Sequence, residues 1–187
     1  SSDKLWLEII IAIFSFCAKI TMMRNKVFDY LISLFKKNGF RIYMIGGTSR
    51  DFLLGLDFTD YDFVTDATPD EMKIFMPDAN YRFASFGSVR YKVDEIKCDI
   101  TTLRVENGYQ DHRHPKNITF TKDLAKDVVR RDFTINALYI DEDMKVIDLV
   151  GGLNDLRMKI IRFIGNPEER IKEDPLRILR AERFQQK

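Results

Sequence analysis

The apolar positions of this chain fall into two kinds of spacing. Between Arg24 and Lys37, the residues Val27, Tyr30, Leu31, Leu34 and Phe35 recur at helical intervals, and Asn38-Gly39 closes the segment. Arg41 to Ile45 is an apolar run and Tyr61 to Thr65 a β-prone one, so each reads as a strand. Ser49 to Leu54, between them, reads as a short amphipathic helix. Thr68-Pro69-Asp70-Glu71 supplies an N-cap, a proline at the first helical position and acids in the first turn. That helix is predicted to run to about Phe75, where Pro77 stops it. Ser88 to Val93 and Glu95 to Leu103 read as two strands turning at Val93-Asp94-Glu95. Val105 to Asn117 reads as a loop, Lys122 to Val129 as a short helical patch, and Ile140 to Leu149 as a hairpin turning at Asp143-Met144. In the last segment Asp174 is placed to cap a helix with Pro175 in its first turn. Leu176, Leu179 and Phe184 lean to one face of it, while Asp174, Arg177, Arg180 and Arg183 form a slowly turning polar stripe.

Length and composition narrow the class. A chain of 187 residues holds one domain, or one and a small appendage. A hydrophobic content of 45% can build a core and excludes a disordered chain. The net charge of +1 gives no global basic field, so any contact with nucleic acid must come from local patches. Cys17 and Cys98 lack metal spacing and read as free thiols of a reducing, cytoplasmic compartment. Leu5 to Ile20 is an apolar run broken by Glu8 and ending near Lys19, short for a membrane span. It reads first as a buried or dimer-forming helix and second as a membrane contact, with Met22 or Met23 as a natural start downstream. The chain therefore divides into a leader (1–22), a main domain (23–150) and a terminal segment (151–187).

The chemistry concentrates in one stretch. A strand running into Gly46-Gly47 and then a helix lets backbone N–H groups approach an anion, and the helix N-terminus adds partial positive charge. Arg50 can add a charged fork to the same anion. Asp60 and Asp62 alternate on a strand, which points both carboxylates to one face, an arrangement that suits a hard divalent cation such as Mg²⁺. A phosphate cradle beside a metal-holding pair points to metal-assisted nucleotidyl transfer. Each feature has a plain alternative: Gly-Gly as a turn, Asp-x-Asp as a solvated strand end. Asp99 is either a third carboxylate or a strand acid, and His112 and His114 lie in a segment expected to face solvent. Arg130-Arg131-Asp132 reads either as a surface ion pair or as phosphate forks beside a carboxylate that accepts from sugar hydroxyls.

The motif GGTSRD followed by Asp60-Tyr61-Asp62, then RRDFTINAL, then Asp148-Leu-Val-Gly151-Gly152 and EDPLRILRAERF, resembles the class II tRNA nucleotidyltransferases (CCA-adding enzymes) and bacterial poly(A) polymerases, members of the polymerase β superfamily. The resemblance covers about Lys26 to Phe184. It implies an α/β (α+β) head with a mixed twisted sheet and flanking helices, followed by the start of a helical neck. It implies template-independent addition of C and A to a tRNA 3′ end from CTP and ATP, releasing pyrophosphate. Asp60 and Asp62 would hold Mg²⁺, with Asp99 as the third catalytic candidate; the family usually has glutamate there. The nucleotide would be held by Gly46, Gly47, Arg50, Asp51, Arg130, Arg131, Asp132 and Asn136, and by Asp174, Arg177, Arg180 and Arg183. The Val105 to Asn117 segment would be a flexible loop that helps to switch between nucleotides, although His112-Arg113-His114 leaves one arginine where the family has two. Asp148 to Gly152 would hinge head to neck. Poly(A) addition, separate CC or A addition, and a non-catalytic module are the alternatives. Donor and acceptor chemistry sets the base choice: Asp174 only accepts and Arg177 only donates, so cytosine and adenine match the pair, whereas uracil and guanine oppose it.

Overall fold

The computed structural model of the chain describes residues 24–58, 61–109 and 115–185. The leader, including Cys17, lies outside them, as do Asp60, His112, Arg113 and His114.

A π-helical turn, Arg24–Phe28, leads into α1 (Asp29–Lys37). The helical spacing puts Leu31 and Phe35 inward, and Asn38-Gly39 ends the helix as expected, with Gly39 N–H donating to the Lys36 carbonyl at 3.0 Å. Then come β1 (Ile42–Met44), α2 (Gly46–Leu53) and β2 (Tyr61–Thr65). Next are α3 (Pro69–Phe75) and the hairpin of β3 (Ser88–Val93) and β4 (Ile96–Thr102). Thr68 caps α3 with a reciprocal Glu71 contact, as its sequence requires. β5 (Arg104–Tyr109) and β6 (Pro115–Phe120) precede α4 (Leu124–Val128) and the β7 (Leu138–Ile140)–β8 (Val146–Asp148) hairpin. Three helices close the chain: α5 (Gly152–Met158), α6 (Pro167–Glu173) and α7 (Leu176–Gln185).

Six strands form one mixed sheet in the order β3-β4-β2-β1-β7-β8, with β2 and β4 parallel and the other pairs antiparallel. The two-residue period of the central strands sorts their side chains onto two cores. Ile42, Met44, Phe63 and Ile100 face α1 and the π-helical turn before it, where Phe28 stacks on Phe63 at 5.6 Å between ring centroids. Tyr43, Ile45, Val64 and Tyr139 face the opposite side, against Leu103 and Val128. Burying a ring such as Phe63 stabilises the sheet by about 1.5–3 kcal/mol. Because Phe63 and Ile100 point to the first core, Asp62 and Asp99 point to the second face, where the cleft lies.

Two expectations change, and the packing face of the last helix is decided. The helix after β1 begins at Gly46 rather than Ser49, so the glycines are its first turn and not a loop before it. Gly46 has φ +67°, a left-handed conformation that glycine adopts at little cost. Val105 to Asn117 is not simply a loop: β5 and β6 pair antiparallel from Arg104↔Phe120 to Tyr109↔Pro115. Among the described residues this ribbon pairs only with itself, a long-range pairing that no turn signal in the sequence fixes. On α7, Leu176, Ile178 and Leu179 are 45%, 44% and 59% exposed while Arg177 is 4% exposed, so the polar stripe and not the apolar residues packs against the head. Arg177 and Asp174 both have charged partners there, which makes their burial tolerable. Among the described residues, no helix is long and apolar enough to cross a membrane.

Gly152 shows how closely α5 is seated. A Cβ there would lie 2.2 Å from the Thr134 carbonyl oxygen, a backbone atom that cannot swing aside. Gly152→Ala should therefore cost about 3 kcal/mol or more. Thermal unfolding checks it, and an unchanged midpoint would contradict the close packing.

Candidate active site

The cleft begins where β1 meets α2. Ile45, the residue before the helix, offers no side-chain cap, so the first-turn N–H groups of α2 are not claimed by one. Gly46 and Gly47 both line the cleft. The cradle is tied to β2: Asp62 N–H donates to Thr48 Oγ1 at 2.8 Å, and Ile45 N–H donates to the Asp62 carbonyl at 3.0 Å. A Cβ on Gly46 would meet Asp62 Oδ2 at 3.4 Å, so glycine keeps the backbone close to that carboxylate. In the parallel β2–β4 ladder Asp62 is the direct partner of Asp99, and both line the same cavity of about 470 Å³. Asp99 Oδ1 accepts from Arg90 Nε at 3.2 Å.

Arginines from β5 and from the turn after α4 crowd the middle of the cleft, around one buried carboxylate. Asp127 is fully buried and accepts from Arg130 Nε at 2.8 Å, Arg131 Nε at 3.0 Å, Tyr139 Oη at 2.8 Å and the Arg104 backbone N–H at 3.0 Å. Burial pushes its pKa up, but Arg131, Arg130 and the hydrogen bonds outweigh this and hold it at about 2. Burial and the neighbouring Arg131 lower Arg130 to about 10. For Arg131, burial works downward, but Asp127 and Tyr139 raise it above the usual arginine value. Arg104 pairs with Glu106 at 2.6 Å.

The far end is built by α6 and α7. Arg170 donates to the carbonyls of Arg130 at 2.7 Å and Arg131 at 2.6 Å, fastening α6 to the arginine segment. Arg177 pairs with Glu173 at 2.7 Å. Asp174 caps α7 through the Leu176 N–H at 3.1 Å. Arg180 bridges Asp132 and Asp174, each at 3.0 Å. Gly46, Gly47, Arg130, Arg131, Asp132, Asn136, Asp174, Arg177 and Arg180 line one cavity of about 310 Å³, which shares Gly46, Arg104, Arg130 and Arg131 with the carboxylate cavity.

The structure thus gathers most of the sequence candidates into one continuous cleft. Arg50 and Asp51 sit behind its wall. Arg50 donates to Asp51 Oδ1 through Nε at 2.9 Å and Nη2 at 2.8 Å, and to Asn136 Oδ1 through Nη1 at 2.7 Å. Arg183 is exposed on α7 and lines neither cavity. Cys98 is buried, which pushes its thiol up to about 12. Sequence reasoning passed over Asp127, Tyr139, Arg104, Glu106 and Arg170. Asp127 alone left a trace, since it lies three and four residues before Arg130 and Arg131. The others meet the cleft only through pairing across the fold.

Comparison with known proteins agrees with this geometry. The family described as Poly A polymerase head domain matches residues 42–162. The CCA-adding enzyme of Ligilactobacillus salivarius is 43% identical over 154 residues, covering 82% of this chain and 38% of that protein. A crystal structure of the Bacillus stearothermophilus CCA-adding enzyme in complex with CTP superposes with a TM-score of 0.73 at 35% identity, covering 82% of this chain and 36% of the other. A tRNA nucleotidyltransferase structure with a primer tRNA and an incoming ATP analog gives 0.61 at 35% identity, covering 80% and 42%. The chain therefore spans little more than a third of its curated relatives.

Proposed function

We propose, because the chain belongs to the Poly A polymerase head domain family, that it is the catalytic part of a template-independent nucleotidyltransferase that adds C and A to the 3′ end of tRNA in the cytoplasm. One observation carries the reading: a single cleft with Asp62 and Asp99 side by side at one end, an arginine cluster in the middle, and Asp174 with Arg177 at the other. A nucleoside triphosphate has the complementary order of groups. Arg130, Arg131 and the α2 N-terminus hold the triphosphate, Asp132 accepts from the ribose hydroxyls, and Asp174 with Arg177 reads the base. Arg50 acts from behind the wall, positioning Asn136 and the α2 turn. Residues 151–187 form the start of a neck.

The carboxylates fit Mg²⁺. Partner residues on neighbouring strands stand about 4.8 Å apart, and their carboxylate oxygens are the hard donors that this ion takes. Asp60 and Asp62 would hold it, with Asp99, set opposite Asp62 in the ladder, as the third carboxylate. When bound, Mg²⁺ lowers the pKa of the attacking 3′-hydroxyl and neutralises charge on the leaving pyrophosphate. The arginines fix the α-phosphorus for in-line attack by that hydroxyl: the new O–P bond forms as the bond to pyrophosphate breaks. Incubating the chain with tRNA lacking its 3′ end, Mg²⁺ and each NTP singly and together tests the assignment. No incorporation under any combination would reject it, and ATP-only tailing would favour poly(A) addition.

Base choice gives a sharper test. Asp174→Asn keeps an acceptor for the α7 cap but adds a donor where the carboxylate only accepts. Preference for CTP and ATP over UTP and GTP should fall about tenfold or more in competition assays. Unchanged preference in both Asp174→Asn and Arg177→Ala would return the stripe to a packing role.

A further inference from the structure

Most large side chains near the cleft are buried or charged, but two are neither. Phe83 and Phe86 are 37% and 36% exposed and line the cavity that holds Asp62 and Asp99. They are not on a loose loop. A 3₁₀ turn, Ala84–Phe86, sets them, with Phe86 N–H and Ser88 N–H donating to the Phe83 carbonyl at 3.0 and 3.2 Å. Arg104 donates to the Phe86 carbonyl, and the Asn80↔Arg90 bridge closes the segment below. Two arginines stack at its edge: Arg90 Cζ lies 5.1 Å and Arg82 Cζ 5.7 Å from the Phe83 ring centroid. Arg90 also donates to Asp99, so one residue joins the aromatic pair to the carboxylates.

We infer that Phe83 and Phe86 form a stacking platform for the terminal base of the acceptor RNA strand, with Arg82 and Arg90 meeting its phosphates. The inference rests on the proposed transfer reaction and names a subsite for its second substrate. Rigid, partly exposed aromatics flanked by arginines are what a single strand needs, because every base has a face to stack and every linkage a charge to neutralise. Position decides which substrate they serve. The base-reading pair Asp174 and Arg177 lies in the other cavity, beyond the arginines, and neither phenylalanine reaches it. A hydroxyl attacking the α-phosphorus must arrive beside the metal-holding carboxylates, where a bound Mg²⁺ would lower its pKa. Phe83 and Phe86 stand at the carboxylate end. Because stacking is indifferent to base identity, one platform accepts the growing end after each addition.

The test compares two short single-stranded RNAs, identical except that one carries an abasic 3′-terminal nucleotide, by fluorescence anisotropy with the intact chain. The wild type should bind the complete strand about tenfold more tightly. Phe83→Leu with Phe86→Leu keeps apolar bulk but removes both π faces, and it should bind the two strands alike while CTP affinity is unchanged. Arg90→Gln, which removes a charge but keeps both π faces, should weaken both strands and lower the salt dependence. Equal binding of the two strands by the wild type overturns the platform. So does a leucine variant that loses CTP affinity instead, since the rings would then serve the incoming nucleotide. Concentration-dependent self-association that the leucine variant abolishes would assign the patch to a second copy of the chain and also overturn it. Failure of CTP to bind at all, with base-dependent RNA binding intact, counts against the proposed function and leaves the platform standing.

Discussion

Asp62→Ala is expected to lower nucleotide transfer by about a thousandfold or more while leaving the fold intact. The carboxylate lies in the cleft beside its ladder partner Asp99 and belongs to neither hydrophobic core. Removing it therefore leaves no cavity in the packing, but it takes away half of a paired oxygen-donor set. At about 1.4 kcal/mol per tenfold, a thousandfold loss is ~4 kcal/mol of transition-state stabilisation, within the range that a divalent cation supplies. Asp99→Asn should cost at least tenfold, with Arg90 left beside a neutral amide. Asp60→Ala, whose residue lies outside the described structure, is expected to resemble Asp62→Ala. Pyrophosphate release measures the rate, and Mg²⁺-dependent CTP binding by calorimetry gives a readout that does not need turnover. Turnover near wild type in Asp62→Ala, or CTP binding that responds to Mg²⁺ as before, would remove Asp62 from the metal-holding role.

The second large effect is expected from Asp127, which meets the fold and the site together. Asp127→Asn should lower stability by about 3–5 kcal/mol, because the buried Arg130 and Arg131 guanidiniums lose their counter-charge. For a chain of this size that is a fall of roughly 10 °C or more in the thermal midpoint. Transfer should fall as well, since the same two guanidiniums line both cavities. The pH dependence follows from the same contacts. The folded pKa of about 2 lies below the ordinary aspartate value of 3.8, so the carboxylate stabilises the fold above about pH 4. That contribution, on the order of 2 kcal/mol, is lost as the pH falls from about 4 through 2. The stability gap between the wild type and Asp127→Asn should therefore narrow by about 2 kcal/mol as the pH falls through 2. Acid-unfolding curves that stay parallel down to that pH would place the stabilisation elsewhere.

Much of the site was legible in the chain because its chemistry is local. Strand, Gly46-Gly47 and helix form one continuous piece, and Asp62 follows on the next strand. Asp174 and Arg177 lie on consecutive turns of backbone at the start of α7. Short-range periodicity and capping are enough to place such groups, since they depend on neighbours within a few residues. The hairpins at Asp94 and Met144, both with positive φ, were readable for the same reason.

What local pattern leaves open is pairing between distant segments. Asp99 reads equally as a third carboxylate or a strand acid in the sequence, and its place opposite Asp62 comes only from the parallel β2–β4 register. No turn signal in the sequence fixes the β5–β6 pairing, so only its ladder reveals the ribbon. The direction of α7 was decided the same way. Its sequence places the leucines on one face and the polar stripe on another without choosing between them; Glu173 pairs with Arg177 and Asp132 with Arg180, and the stripe turns inward to meet them. Arg50 looked like a ligand for an anion and lies instead against Asp51 and Asn136, eighty-six residues away. The sequence by itself determined which groups the chain holds and the local backbone that presents them. Tertiary structure decided which of them share a cleft and which brace its wall, because that depends on the alignment of strands and helices far apart in the chain.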